Sequence, residues 1–314
     1  VKICASGGAN DMIYTSTYVC WHSFLNNQQV THISLDIKPT AEDWLVVWQP
    51  VTQDEFNKVM AVINRFEYSK RVLIHYEGRY KRPYGYSVRY QQQFGRIYTN
   101  CSTDVDGDTV KYFPVPVWIK PITTVMKREK LICSVVTNHN CNREPRHQAT
   151  SRLQNLGMDV YGANNKPVLG DTPTSRSYAA KLMVMSQYKF AFACENQLDL
   201  GHLTEKPFDA LSAGCILVYL GPLDTPLFIP ENCYINYRDF WSESELMAYI
   251  KNMSCNEISK YQSAILQARD ILVNMRTFES CVRYVCKDLG FDCESPYHTQ
   301  LIELTNFVAS KNTI

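Results

Sequence analysis

The chain has 314 residues, 45% of them hydrophobic, with Lys+Arg 32 against Asp+Glu 31 and a formal net charge of +1. That length suits two domains, each able to bury a core. The balanced charge argues against a general polyanion binder, nucleic acid included, and no apolar run approaches the ~18 residues needed to cross a bilayer.

In chain order, Lys2 to Ala5 reads as a strand running into the polar turn "SGGAND", a weak phosphate-loop signal because it lacks a spaced third glycine. "EDWLVVWQP" (42–50) and "KRVLIHYEG" (70–78) read as buried strands rich in β-branched and aromatic residues. Between them Phe56, Val59, Met60 and Ile63 recur at helical spacing. Strand, helix, strand is the mark of a parallel sheet. "YFPVPVWI" (112–119) carries two prolines and reads as a connector or edge strand.

A second unit opens near Lys130 with the strand "KLICSVVTN". "EPRHQATSRLQNLG" reads as a helix with Pro145 in its first turn and Gly157 as its stop. "MDVYG" is a short strand, "TSRSYAAKLMVMSQY" a helix, "KFAFACEN" a strand, and a helix opening at Thr204-Glu205-Lys206 leads into the strand "CILVYLG". Helical stretches over roughly 256–289 and 298–310 close the chain. The fold class expected is α/β, with two Rossmann-like domains: 1–125, 126–290, and a helical segment 291–314 packing back.

The helix at 204 poses the functional question. Thr204 suits an N-cap and Gly214 a C-terminal stop. In a parallel α/β unit this helix start lies at the carboxyl edge of the sheet, where ligands bind and where exposed N–H groups and the dipole favour an anion. Lys206 adds positive charge. Glu205 would repel a bare phosphate but suits vicinal hydroxyls, so the pair points to a nucleotide-sugar: Lys206 for the diphosphate, Glu205 for ribose or sugar hydroxyls. A capped helix with solvated charges uses the same residues and stands as the alternative.

"YKFAFACEN" followed by "GHLTEKPFDALSAGCILVYLG" resembles the donor-binding motif of the α1,3/α1,4-fucosyltransferase family, with weaker similarity upstream to about residue 70. The resemblance implies a GT-B-type architecture of two facing Rossmann-like domains, an active site in the cleft between them, GDP-fucose as donor, a glycan or glycoconjugate as acceptor, and inversion at the fucose anomeric carbon. It carries donor binding onto Glu205 and Lys206, onto Glu195 and Asn196 (with Cys194 where Phe is usual), and onto His202 where the family has an aromatic residue. It carries the diphosphate-holding arginine onto Arg146, seven residues before Leu153, with Arg143 as the competing choice. It carries the general base onto Glu77 at the end of a first-domain strand, with Gly-Arg replacing the usual Ser-Pro. An inverting transfer needs one carboxylate to accept the acceptor hydroxyl's proton and positive charge for the leaving diphosphate. The family's segment after the base is replaced here by "QQQFGRIYTN", which leaves the acceptor and the linkage open. His75, before Glu77, reads as a core residue.

Asp104 and Asp106 in "STDVDGDTV" resemble a metal-binding DxD pair, but Asp-Gly between two strand-like runs is a hairpin signal, and the expectation is a turn with no obligatory metal or cofactor. Two rivals follow: a metal-dependent transferase using those aspartates, and a nucleotide-sugar or glycan-binding protein with a degenerate site. Twelve cysteines include none in CxxC spacing; Cys281, Cys286 and Cys293 cluster where disulfides are plausible in a secretory lumen and thiols in the cytosol. Asn100-Cys101-Ser102 and Asn252-Met253-Ser254 fit the glycosylation tripeptide. The start of the chain carries no signal or anchor, giving the expectation of a cytoplasmic enzyme, with the Golgi lumen as the alternative if an anchor precedes it.

Overall fold

The computed structural model describes residues 2–6, 29–32, 35–36, 38–49, 52–79, 85–117, 128–136, 144–162 and 178–312. The Gly-Gly turn near the start and Arg143 lie outside them. The chain forms two compact units: Val1–Pro116 with Asp199–His202 and Phe278–Ile314, and Val117–Leu198 with Leu203–Thr277. The boundaries expected from sequence, after 125 and after 290, differ from these.

The first unit opens with β1 (Lys2–Ser6), β2 (Gln29–His32) and β3 (Trp44–Trp48). Helix α1 (Gln53–Val62) starts at a capping box, in which the Thr52 side chain accepts from Glu55 N at 3.2 Å and Glu55 Oε2 accepts from Thr52 N at 3.1 Å. β4 (Arg71–Ile74), α2 (Val88–Gln91), β5 (Arg96–Thr99) and β6 (Val110–Tyr112) follow. The sheet runs β2-β1-β3-β4-β5-β6, every pairing parallel. Alternation sorts the side chains of β3. Leu45 and Val47 join Val59, Ile63, Leu73, Tyr90 and Ile97 in one core cluster, while Trp48 turns to the other face.

The turn expected at Asp106-Gly107 is there, but the strands that flank it, β5 and β6, pair in parallel and not as a hairpin. Asp106 Oδ1 accepts from Asp108 N and Val110 N, both at 2.8 Å, which closes the loop on itself. Asp104 bonds Arg79 instead of facing Asp106. Among the described residues no group of three or more His, Cys, Asp or Glu side chains is arranged to hold a metal.

The second unit contains β7 (Lys130–Val135), α3 (Glu144–Asn155), β8 (Asp159–Tyr161), α4 (Tyr178–Met185), β9 (Tyr188–Cys194), α5 (Glu205–Ser212), β10 (Ile216–Leu220), β11 (Tyr234–Asn236), α6 (Glu243–Asn252) and α7 (Cys255–Asn274). Its sheet order is β11-β10-β9-β7-β8, all parallel. Chain order reverses between β7 and β9, and such a switch point opens a crevice at the carboxyl ends of the strands.

The chain then returns to the first unit as α8 (Phe278–Asp288) and α9 (His298–Asn312). Phe278 stacks on Trp48 at 5.9 Å. Asp288 gathers Arg96 at 3.0 Å, the Tyr98 hydroxyl at 2.5 Å, and Lys111. These contacts reassign the segment from 278: its apolar face and its buried acid both belong to the first sheet. Cys281, Cys286 and Cys293 are buried free thiols. No helix among the described residues is long and apolar enough to cross a membrane.

Burial opposes the Asp288 carboxylate, but Lys111 and Tyr98 outweigh it and hold its pKa below the usual aspartate value. A depressed folded pKa contributes stability that is present above the unfolded pKa and lost as pH falls through the folded one. Asp288→Ala leaves cations unpaired beside the sheet and should cost about 3 kcal/mol near neutral pH. Urea midpoints should show the gap between wild type and variant closing below about pH 4.

Candidate functional site

At the β7/β9 switch point lies a cavity open to solvent, lined among others by Ser134, Arg146, Lys181, Cys194, Glu205 and Lys206. Three helices of the second unit deliver the charges. Arg146 comes from the first turn of α3, Lys181 from α4, and Glu205 and Lys206 from the first turn of α5.

Glu195 organises the α5 end. Its carboxylate is 2% exposed and receives four hydrogen bonds. Oε1 accepts from Thr204 N at 2.9 Å and from the Tyr219 hydroxyl at 3.0 Å. Oε2 accepts from the Thr204 hydroxyl at 2.7 Å and from Lys206 Nζ at 3.0 Å. Thr204 is therefore the N-cap residue by position, yet its side chain makes no cap hydrogen bond; it turns to Glu195 instead. Gly221 makes room for this arrangement, because a Cβ there would stand 2.1 Å from the Tyr219 ring. Gly214, at φ +71°, ends the helix as expected.

The ionisation of the cluster follows from its neighbours. Burial works against the Glu205 carboxylate, but Lys206 and then Lys181 outweigh it and bring its pKa down to about 2. Burial likewise opposes the Lys206 ammonium, and Glu195 and Glu205 override it, so the lysine is held above its ordinary value. Lys181 is paired with Asp209, a fully buried residue of α5. Burial pushes Asp209 up to about 6, with Lys181 partly offsetting it, while Lys181 itself is raised because Asp209 and Glu205 overcome its own burial. At neutral pH both partners are charged.

Of the residues singled out in the sequence, Arg146, Glu205 and Lys206 meet at one cavity. Asn196 joins through its Oδ1, which accepts from Arg146 Nη1. Glu195 is taken up by holding Thr204, Lys206 and Tyr219. Cys194 is buried, and burial together with Glu195 pushes its thiol up to about 12, so it fills space as a small neutral group. His202 is buried in the first unit, its Nδ1 3.0 Å from Asn100 Nδ2. Glu77 is also in the first unit, three residues beyond β4 at the carboxyl end of the strand. His75 is fully buried, as expected of a core residue; burial, and then Arg79, lowers its pKa to about 3. Asn100 of the first glycosylation tripeptide is 1% exposed, a structural position and not an accessible acceptor. Sequence reasoning missed Lys181. It sits in an apolar helix and looks like a solvated end; the buried Asp209 at α5 is the partner that turns it toward the cavity.

Residues 125–286 match the family model described as "Glycosyltransferase family 10 (fucosyltransferase) C-term". The chain belongs to glycosyltransferase family 10. Among its relatives is 4-galactosyl-N-acetylglucosaminide 3-alpha-L-fucosyltransferase 9 of Bos taurus, 30% identical over 156 residues that span 49% of this chain and 41% of the relative. The Homo sapiens protein of the same name is 29% identical over the same spans. The chain thus aligns with less than half the length of these relatives. Among solved structures, a crystal structure of an alpha1,3-fucosyltransferase superposes with a TM-score of 0.61 at 15% identity, covering 94% of this chain and 92% of that one. An alpha-glucosyltransferase in complex with UDP and DNA reaches 0.53 at 10% identity, covering 92% and 98%. At these identities the likeness is one of fold: a GT-B glycosyltransferase built on parallel α/β sheets.

Lys181→Met should weaken binding of inorganic pyrophosphate, a small anionic probe of this cavity, about tenfold or more by titration calorimetry, the value of one charge-assisted contact. Lys181→Arg should recover most of the loss.

Proposed function

We propose that the protein transfers fucose from GDP-fucose to a glycan hydroxyl, with inversion, in a single displacement. The observation that carries this reading is the convergence of Arg146, Lys181 and Lys206 with one ionised acid, Glu205, on a cavity at the switch point of a parallel sheet. Three cations suit a diphosphate, and a carboxylate kept charged among them suits the ribose or sugar hydroxyls beside it. Family membership supports the same donor, since the fold is also that of an alpha1,3-fucosyltransferase crystallised with GDP-fucose (TM-score 0.52, 16% identity, covering 100% of this chain and 91% of that one).

In this reading the acceptor oxygen attacks the fucose anomeric carbon as the bond from that carbon to the GDP oxygen breaks. The acceptor proton passes to Glu77, and the charge gathering on the diphosphate is met by Arg146, Lys181 and Lys206. Glu205 takes the hydroxyl role. Glu195 and Asn196 hold Lys206 and Arg146, and His202 belongs to the segment leading into α5. The reading includes no obligatory metal, since side-chain cations supply the charge and Asp104 and Asp106 have bonds of their own within the first unit. The acceptor class follows the relatives named for 4-galactosyl-N-acetylglucosaminide, which makes a 4-galactosyl-N-acetylglucosamine disaccharide the first of a small acceptor panel.

The test is GDP release from GDP-fucose across that panel, water included. Glu77→Gln should lower turnover by about 10²-fold or more while leaving GDP affinity nearly unchanged. Lys206→Ala and Arg146→Ala should each weaken donor binding by about 1.5–3 kcal/mol. Wild-type turnover should persist in EDTA. Donor affinity unchanged in both cation variants, or turnover that vanishes with chelator, would overturn the assignment.

A further inference from the structure

The main chain at Glu77 is held by side chains from both directions. Gln49, buried just beyond β3, accepts from Glu77 N through its Oε1 at 3.1 Å. The Tyr86 hydroxyl lies 3.0 Å from the Glu77 carbonyl oxygen. The Tyr86 ring stacks on His75 with centroids 4.1 Å apart and planes inclined by 13°. Gly85 permits the approach, because a Cβ there would come 2.9 Å from Gln49 Cγ and 3.1 Å from His75 Cε1.

The same hydroxyl continues outward. It lies 2.9 Å from Asn100 Oδ1, and Asn100 Nδ2 lies 3.0 Å from His202 Nδ1. The segment bearing His202 is clamped beside Asn100. Leu200 O accepts from Ser102 N at 3.1 Å, the Tyr112 hydroxyl donates to Gly201 O at 3.1 Å, and a Cβ on Gly201 would stand 2.4 Å from Asn100 O.

Counting protons gives this chain a direction. Tyr86 has one hydroxyl proton, and the Glu77 carbonyl can only accept. The two ends of an Asn amide are interchangeable in shape, and the network decides between them. With the amide nitrogen of Asn100 toward Tyr86, every group is satisfied: His202 Nδ1–H donates to the Asn100 oxygen, the Asn100 nitrogen donates to the Tyr86 oxygen, and Tyr86 donates to Glu77 O.

We propose that Gln49, Tyr86 and Asn100 are positioning residues for Glu77, holding its main chain from both sides and tying it to His202 on the segment that leads into α5. The proposal rests on Glu77 acting as the base in the reaction proposed above. A base displaced by a fraction of an ångström from its proton loses rate without losing donor affinity. A loosened His202 segment disturbs the approach to α5, which carries Glu205 and Lys206.

The experiment is a double-mutant cycle on kcat and on KM for GDP-fucose, with whichever acceptor of the panel the wild type turns over. Tyr86→Phe keeps the ring on His75 and removes only the hydroxyl. It should lower kcat about tenfold with KM for GDP-fucose unchanged within about twofold, and it should add nothing in the Glu77→Gln background. Asn100→Ala should lower kcat and also raise KM for GDP-fucose. Melting curves separate these effects from unfolding. Gln49→Met, measured in the same cycle, replaces any variant that fails to fold. A Tyr86→Phe loss that multiplies independently with Glu77→Gln overturns the proposal, as does an unchanged kcat. Wild-type turnover in Glu77→Gln itself would sink the base assignment instead, a separate outcome.

Discussion

The carboxylate of Glu195 is the interaction on which the second unit's cavity depends. A buried acid is tolerable only when its charge is paired and its lone pairs are filled. Glu195 meets both conditions with Lys206, the two donors of Thr204, and Tyr219. In doing so it joins the end of β9, the start of α5 and the end of β10. The direction of Lys206 at the cavity is thus a by-product of satisfying a buried charge. It also explains the size requirement at Gly221: the Tyr219 ring occupies the space where a side chain at 221 would be.

An acid beside a base at the start of α5 has its physical account here. Glu205 by itself would be a poor neighbour for an anion. Held ionised by Lys206 and Lys181, it becomes an acceptor of hydrogen bonds embedded in net positive charge. Each cation has a partner within the unit: Lys206 has Glu195, Lys181 has Asp209, and Arg146 has Asn196. Such partners fix the cations in place before a ligand arrives, so that little reorganisation remains on binding.

The fold class was legible because long periodic signals dominate parallel α/β proteins. "WLVVW", "VLI" and "FAFAC" are continuous apolar runs, as strands buried on both faces must be, and the structure has strands at all three. Several short elements were not legible. β5 (Arg96–Thr99) and β11 (Tyr234–Asn236) carry too few residues for a period to emerge, and α6 (Glu243–Asn252) lay in a stretch given no element. At Asp106-Gly107 the turn was legible and the direction of the flanking strands was not. The local turn chemistry was right, but a turn does not determine whether its flanking strands run parallel, and the sheet imposed that. The helical stretch read over roughly 256–289 holds two helices, which part where the chain changes unit at Thr277.

The site divides along the same line. Glu205 and Lys206 were readable because a motif of adjacent residues at a helix start carries its geometry with it. Lys181 and Tyr219 were not, since their roles come from partners on other elements, Asp209 and Glu195, and no spacing in the chain encodes those meetings. His202 shows the limit most clearly. The family resemblance carried a donor contact onto it, and its Nδ1 lies beside Asn100, a residue about a hundred positions earlier. A side chain buried among polar groups must satisfy its hydrogen bonds first. Whatever His202 contributes to chemistry is therefore constrained by Asn100, and any change at Asn100 acts on the histidine before it acts on a ligand.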